Sequence, residues 1–143
     1  MVDYRLGRLE GIETRDSHKF LVTQEGNTII LYTLWDIPGI RRHAEVARDN
    51  HLNSDIILGG GSCLILREDL RLYGGSTQYG PIPNDAARGF LPLLKQYLAE
   101  RGRNITSLTT EMDSFSDLEK NKAEKWRRLG FDVKIGWQPQ LAF

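Results

Sequence analysis

A histidine beside two arginines is the first place where this sequence could do chemistry. His43 follows Arg41 and Arg42 in the segment GIRRHAEV, where the apolar spacing predicts an amphipathic helix. Both arginines and the positive end of the helix dipole disfavour protonation of the imidazole. A neutral imidazole can act as a general base, and arginines beside it can hold an anion. The alternative is a solvated histidine on a helix surface.

Two glycine clusters are the second candidate for chemistry. LGGGS spans residues 58–62, and YGGSTQYGP spans residues 73–81. In the second cluster Ser76 and Thr77 carry hydroxyls, and a turn that glycine permits can align consecutive N–H groups as an anion-binding nest. A β-bulge or a tight turn explains the same glycines without a ligand. Neither a Walker lysine nor a GxGxxG helix start is present, so no nucleotide-binding fingerprint is predicted.

The composition predicts one soluble domain that spans residues 1–143. Nineteen basic residues balance nineteen acidic ones, which disfavours a general nucleic-acid binder. The single cysteine, Cys63, lies in the apolar run SCLIL and is predicted to be a small buried side chain. No apolar run approaches the roughly 20 residues of a membrane span, so a cytoplasmic protein without membrane contact is predicted. No spacing is typical of a metal site, and neither a metal nor another cofactor is predicted.

The elements that must position these residues indicate an α+β domain. HKFLVTQE and NTIILYTLW predict a β-hairpin, and SDIILGGG predicts a strand that ends in glycines before a second hairpin, SCLILREDLRLYGG. Residues 84–102 and 116–130 predict helices, and NITSLTTE and FDVKIGW predict further strands. On the second of these helices, the basic run KNKAEKWRRLG predicts a solvated face with Trp126 and Leu129 turned inward. The order predicts a mixed, mostly antiparallel sheet with helices packed on it.

Four features in this order resemble the Janus/Ocnus family of phosphohistidine phosphatases: HKFLV, the helix-borne His43, LGGG and YGGSTQYGP. The resemblance covers about residues 19–81, and the second glycine loop is its most specific part. It implies a compact phosphohistidine-phosphatase-like fold and a metal-free phosphatase. The implied partner is a phosphorylated protein or a small phosphorylated ligand, and the sequence indicates no oligomeric state.

The resemblance also implies roles for particular residues. His43 matches the base or phosphoryl acceptor, and Ser76 matches the phosphate-binding serine that acts with the backbone of the next two residues. The implied binding residues are Lys19, Arg41, Arg42, Gly59, Gly60, Gly61, Ser62, Ser76, Thr77 and Gln78. Ser62 stands where the family has an arginine, and Arg41 or Arg42 is the candidate to replace a further family arginine. The chain beyond residue 106 adds a helix and a strand that the family lacks.

Two other functions fit parts of the sequence. A non-catalytic module on the same fold would bind a phosphorylated or acidic ligand, or a protein partner, through the glycine-rich loop. Alternatively, NKAEKWRRLGFDV resembles the helix and Gly-Phe ending of acetyl-CoA-dependent N-acetyltransferases. The chain lacks the glycine-rich pyrophosphate loop of those enzymes, which makes the phosphatase-like interpretation the stronger one.

Overall fold

The computed structural model describes residues 2–9, 11–12, 17–35, 43–136 and 141–142. The strands are β1 (Asp3–Leu9), β2 (His18–Glu25), β3 (Thr28–Trp35), β4 (Ile57–Leu66), β5 (Asp69–Gly74), β6 (Ser107–Met112) and β7 (Leu141–Ala142). The α-helices are α1 (His43–Asp49), α2 (Asn84–Gly89), α3 (Leu91–Ala99) and α4 (Lys120–Arg128). Short 3₁₀ turns lie at Ser54–Ile56 and Asp117–Glu119. Within these residues, no helix is both long and apolar enough to cross a membrane.

The strands form one mixed sheet in the order β1-β3-β2-β4-β5-β6-β7. The pairs β1–β3 and β5–β6 are parallel, and the other pairs are antiparallel. The predicted α+β class with a mixed, mostly antiparallel sheet is therefore confirmed. The β2–β3 hairpin is also confirmed, because Glu25 pairs with Thr28 across a turn in which Gly26 has φ +61°. That left-handed conformation suits glycine, which has no Cβ.

The glycines of LGGG lie inside a strand, and the prediction that they end one is wrong. β4 runs through them without interruption and pairs residues 59–61 with residues 20–22 of β2. A Cβ at Gly61 would stand 2.7 Å from the carbonyl oxygen of Tyr73 and 2.8 Å from the Met112 methyl carbon. These residues are glycines because neighbouring groups approach the strand closely.

The single helix predicted for residues 84–102 is divided into α2 and α3 at Phe90. Pro92 has no N–H and is tolerated only in a first helical turn, so it starts a new helix there. Gly89 lies against the ring of Tyr4, where a Cβ would collide with the aromatic carbons. The prediction of a strand at FDVKIGW is also wrong for the described residues 131–136, which contain bridge residues, with Ile135 paired to Phe115, but no strand.

Apolar side chains lie on both faces of the sheet. One face carries the large core, in which α2, α3 and α4 pack with residues such as Phe20, Leu72 and Trp126. The other face carries a smaller cluster in which Leu21 and Ile57 of the sheet pack against Val46 of α1. The face covered by α1, called here the α1 face, is the one that holds the candidate site.

Candidate functional site

His43 is the first described residue of α1, and it is 9% exposed. Its imidazole Nε2 lies 2.7 Å from the carbonyl oxygen of Gly61 in β4. Because a carbonyl oxygen only accepts hydrogen bonds, Nε2 carries a proton in this contact. In a neutral ring the lone pair is then on Nδ1, which is the nitrogen able to accept a proton or a phosphoryl group. The alternative interpretation of His43 as a solvated surface residue is wrong.

Gly60 is the point where the histidine and the second glycine-rich segment meet. Its N–H donates to the carbonyl oxygen of Gly80 at 2.9 Å. A Cβ at residue 60 would stand 3.0 Å from Cδ2 of His43 and would collide with the carbonyl oxygen of Phe20. Glycine is required here because the imidazole, the later loop and β2 all approach the same backbone. The structure therefore brings together the histidine and both glycine clusters.

The second glycine-rich segment contains a tight loop closed by Ser76 and Gly80. These two residues pair in both directions, with N···O distances of 3.2 and 2.8 Å. Between them, the N–H groups of Thr77 and Gln78 have no hydrogen-bond partner within the described part of the chain, and both residues are exposed. Two adjacent N–H groups of this kind can bind an anion.

The hydroxyl of Ser76 shapes this loop. Its oxygen accepts a hydrogen bond from the N–H of Tyr79 at 3.0 Å, and the residue is buried. A hydroxyl that accepts one hydrogen bond still has its own proton to donate. The structural role is thus observed, whereas the contact of Ser76 with a phosphate stays a prediction.

Tyr79 fixes the loop against α1. The residue is buried in the small cluster with Val46 and Ala47. These two residues follow His43 by three and four positions, so they lie on the same side of the helix, one turn further along. The sequence alone did not identify Tyr79 as a positioning residue, although an aromatic side chain in a glycine-rich loop was the available signal.

Lys19 and Ser62 lie on the α1 face of the sheet. Lys19 of β2 pairs with Ser62 of β4. Two residues away along each strand, Leu21 pairs with Gly60. Because side chains alternate along a strand, Lys19 lies on the same face as Leu21 and thus on the α1 face. Both Lys19 and Ser62 are half-buried, and the role of Lys19 near the pocket stays a prediction.

The remaining predicted residues divide into two groups. Gly59 lies where the β2–β4 register shifts, and a Cβ there would collide with the carbonyl oxygen of Pro81. The role in the floor of the site that the resemblance implies for Gly59 stays a prediction. Arg41 and Arg42 lie outside the described residues, and their contact with an anion stays a prediction.

Cys63 points to the opposite face of the sheet and has no part in the site. It is buried in the large core. Burial raises the pKa of its thiol to about 12, so the thiol stays protonated near neutral pH. The prediction of a small buried side chain is confirmed.

α4 and the 3₁₀ turn before it bring two charged side chains to the loop. A Cβ at Gly80 would stand 2.7 Å from Oε2 of Glu119 and 3.2 Å from Cδ of Lys122. Nζ of Lys122 lies 5.4 Å from the ring centre of Tyr79. Desolvation and the nearby Lys125 lower the pKa of Lys122, while Glu119 opposes the change. The prediction that this basic run is simply a solvated face is wrong for Lys122, because the side chain packs against a loop far earlier in the chain.

Among the described residues, no group of three or more His, Cys, Asp or Glu side chains is placed to hold a metal ion. No protein-family model and no curated protein sequence matches this chain. The chain provides a buried imidazole that donates from Nε2 to the carbonyl oxygen of Gly61. It also provides a loop, hydrogen-bonded to Gly60, in which two adjacent N–H groups have no hydrogen-bond partner among the described residues. This combination is suited to binding a tetrahedral anion beside a nucleophile or base.

Proposed function

We propose that this protein binds phosphoryl groups between His43 and the Ser76–Gly80 loop and hydrolyses phosphohistidine, or a related phosphoryl group, without a metal ion. The observation that carries the proposal is the hydrogen bond from Nε2 of His43 to the carbonyl oxygen of Gly61. A buried imidazole held in one tautomer is a usable nucleophile or general base. The resemblance to phosphohistidine phosphatases supports the same assignment.

In the proposed reaction Nδ1 of His43 attacks phosphorus while the P–N bond of the substrate breaks. The leaving imidazole takes up a proton from solvent. Water then attacks phosphorus and cleaves the new P–N bond to release inorganic phosphate and the neutral His43 ring, and the proton that this water loses returns to solvent. If water instead attacks the substrate directly, the same Nδ1 removes its proton. The N–H groups of Thr77 and Gln78 would donate to the phosphoryl oxygens, and Lys19 would offset their charge.

Non-catalytic binding of a phosphorylated or acidic ligand is the second candidate. It is favoured by Ser62, which occupies the place where the family has an arginine. Phosphoryl transfer depends on positive groups that stabilise charge in the transition state. Loss of one such group therefore lowers catalysis more than it lowers the affinity for the ground-state anion.

Two assays of the purified protein, both in the presence of a metal chelator, distinguish hydrolysis from non-catalytic binding. The first adds a phosphohistidine peptide and measures the release of phosphate, and the second adds inorganic phosphate and measures the melting temperature. We expect release of phosphate from the peptide and a rise in the melting temperature with inorganic phosphate. At a phosphate concentration of about 100 times the dissociation constant, the free energy of unfolding should increase by about 2.7 kcal/mol. A rise in melting temperature without turnover would select the binding function, and the absence of both effects would contradict both functions.

A further inference from the structure

We propose that Lys122 of α4 is a further phosphate-binding residue of this site and supplies a cation beside the Ser76–Gly80 loop. The inference rests on the proposed function and extends it to a residue outside the segment that resembles the phosphatases. It also gives the C-terminal helix a role in the chemistry of the site.

The position of Lys122 against the loop is the first support. Cδ of Lys122 is 3.2 Å from the point where a Cβ of residue 80 would stand, so the glycine leaves room for the aliphatic stem. The ammonium lies over the ring of Tyr79, the residue that directly follows Thr77 and Gln78. The cation therefore lies over the side chain of the residue that directly follows the two available N–H groups in the loop.

The rigid placement of α4 is the second support. Nε1 of the fully buried Trp126 donates to the carbonyl oxygen of Leu58 at 3.1 Å, which holds the helix against β4. In the 3₁₀ turn that leads directly into α4, Ser116 and Glu119 form a reciprocal capping box, in which the N–H of Ser116 donates to Oε1 of Glu119 at 2.7 Å. A side chain carried by a fixed helix loses less entropy when it binds a ligand.

The charge balance around Lys122 is the third support. Partial burial and Lys125 lower the pKa of Lys122 despite the opposing effect of Glu119. The carboxylate of Glu119 therefore does not fully offset the desolvation of the ammonium, and a bound phosphate would improve its electrostatic environment. Oε2 of Glu119 is also close to Gly80. The positive charge of Lys122 should therefore attract an anion bound at the loop, whereas the negative charge of Glu119 should repel it.

The residue that follows the glycines of β4 indicates why a cation from α4 would matter for phosphate binding. Ser62 follows the glycines where the phosphatases have an arginine, so this strand carries no cation at that point. α4 brings a cation to the Ser76–Gly80 loop from another part of the chain. A positive charge near the loop is thus retained, although a different element supplies it.

Titration of inorganic phosphate against matched variants tests the inference. We expect Lys122→Met, which keeps the apolar stem, to weaken phosphate binding by about tenfold, and Lys122→Arg to retain it. Lys125→Met is the control, because Lys125 is on the same helix but its Nζ contacts the carbonyl oxygen of Asp55 at 3.4 Å. Glu119→Gln keeps an oxygen for the capping box and should tighten phosphate binding several-fold.

The outcomes distinguish this inference from the proposed function. Normal phosphate affinity in Lys122→Met, together with lost affinity in Gln78→Pro, would overturn the role of Lys122 and leave the loop site intact. An equal loss in Lys125→Met would show only a general charge effect and would also overturn it. If Lys122→Met is unstable, an unchanged affinity in Glu119→Gln overturns the inference instead. If the unmodified protein does not bind phosphate at all, the proposed function fails as well.

Discussion

Replacing His43 by glutamine is expected to abolish hydrolysis of phosphohistidine while preserving the fold. Glutamine offers an amide N–H that can donate to the carbonyl oxygen of Gly61, but it has no basic nitrogen. With the nucleophile or base removed, kcat should fall by about three orders of magnitude or more. The measurement is steady-state release of phosphate from a phosphohistidine peptide, with thermal unfolding of the same sample.

The alanine variant is the matched comparison for this residue. His43→Ala loses the basic nitrogen and also the donor to Gly61, so it should be as inactive as the glutamine variant. It should also be less stable by about 1–3 kcal/mol, because a buried carbonyl loses its donor. Hydrolysis by His43→Gln at the rate of the unmodified protein would remove His43 from the chemistry and leave it a purely structural residue.

Replacing Trp126 by alanine is expected to cause the largest loss of stability. The indole is fully buried, packs edge-on against Phe131 with ring centres 5.4 Å apart, and donates to the carbonyl oxygen of Leu58. Truncation of a buried tryptophan leaves a cavity and costs about 3–5 kcal/mol. Urea denaturation measures this loss as a difference in the free energy of unfolding.

The phenylalanine variant separates packing from hydrogen bonding at this position. Trp126→Phe keeps most of the ring volume but loses Nε1, so its cost should be clearly smaller, at about 1–2 kcal/mol. Since Trp126 also holds α4 near the loop, Trp126→Ala should weaken phosphate binding more than Trp126→Phe does. A loss of stability below about 1 kcal/mol in the alanine variant would contradict the view that Trp126 anchors the C-terminal helix.

The elements predicted correctly are those that depend on local patterns. The hairpin of β2 and β3 follows from β-branched and aromatic residues on both sides of a short turn at Gly26. β1 was not predicted, because the alternation in DYRLGRL is interrupted by charges and its partner is a parallel strand far along the chain. Asp3 lies opposite Thr28, and no local signal indicates such a pairing.

The end of a strand was wrongly predicted at the glycines of β4, again because contacts with distant segments decide the structure there. On propensity alone, three consecutive glycines predict the end of a strand. The strand continues because Phe20, Tyr73 and His43 approach residues 60 and 61 so closely that a side chain has no room. Contacts of this kind join distant segments, and sequence periodicity carries no information about them.

The candidate site was predictable in its residue types but not in its connections. The position of His43 beside two arginines and the loop at Ser76 were both recognisable in the sequence. The hydrogen bond to Gly61, which selects the tautomer, requires α1 to pack on β4. The contact of Lys122 with Gly80 requires the C-terminal helix to fold back over the loop, and an amphipathic pattern does not indicate which neighbour a helix meets.

The most direct test of the central claim is a phosphate titration followed by NMR of the ¹⁵N-labelled protein. The claim is that the N–H groups of Thr77 and Gln78 and the imidazole of His43 face the same anion. We expect both amide signals and the His43 ring signals to shift together and to saturate at one phosphate concentration. Shifts confined to other residues, or a loop that responds while His43 does not, would contradict the claim that the two segments form one site.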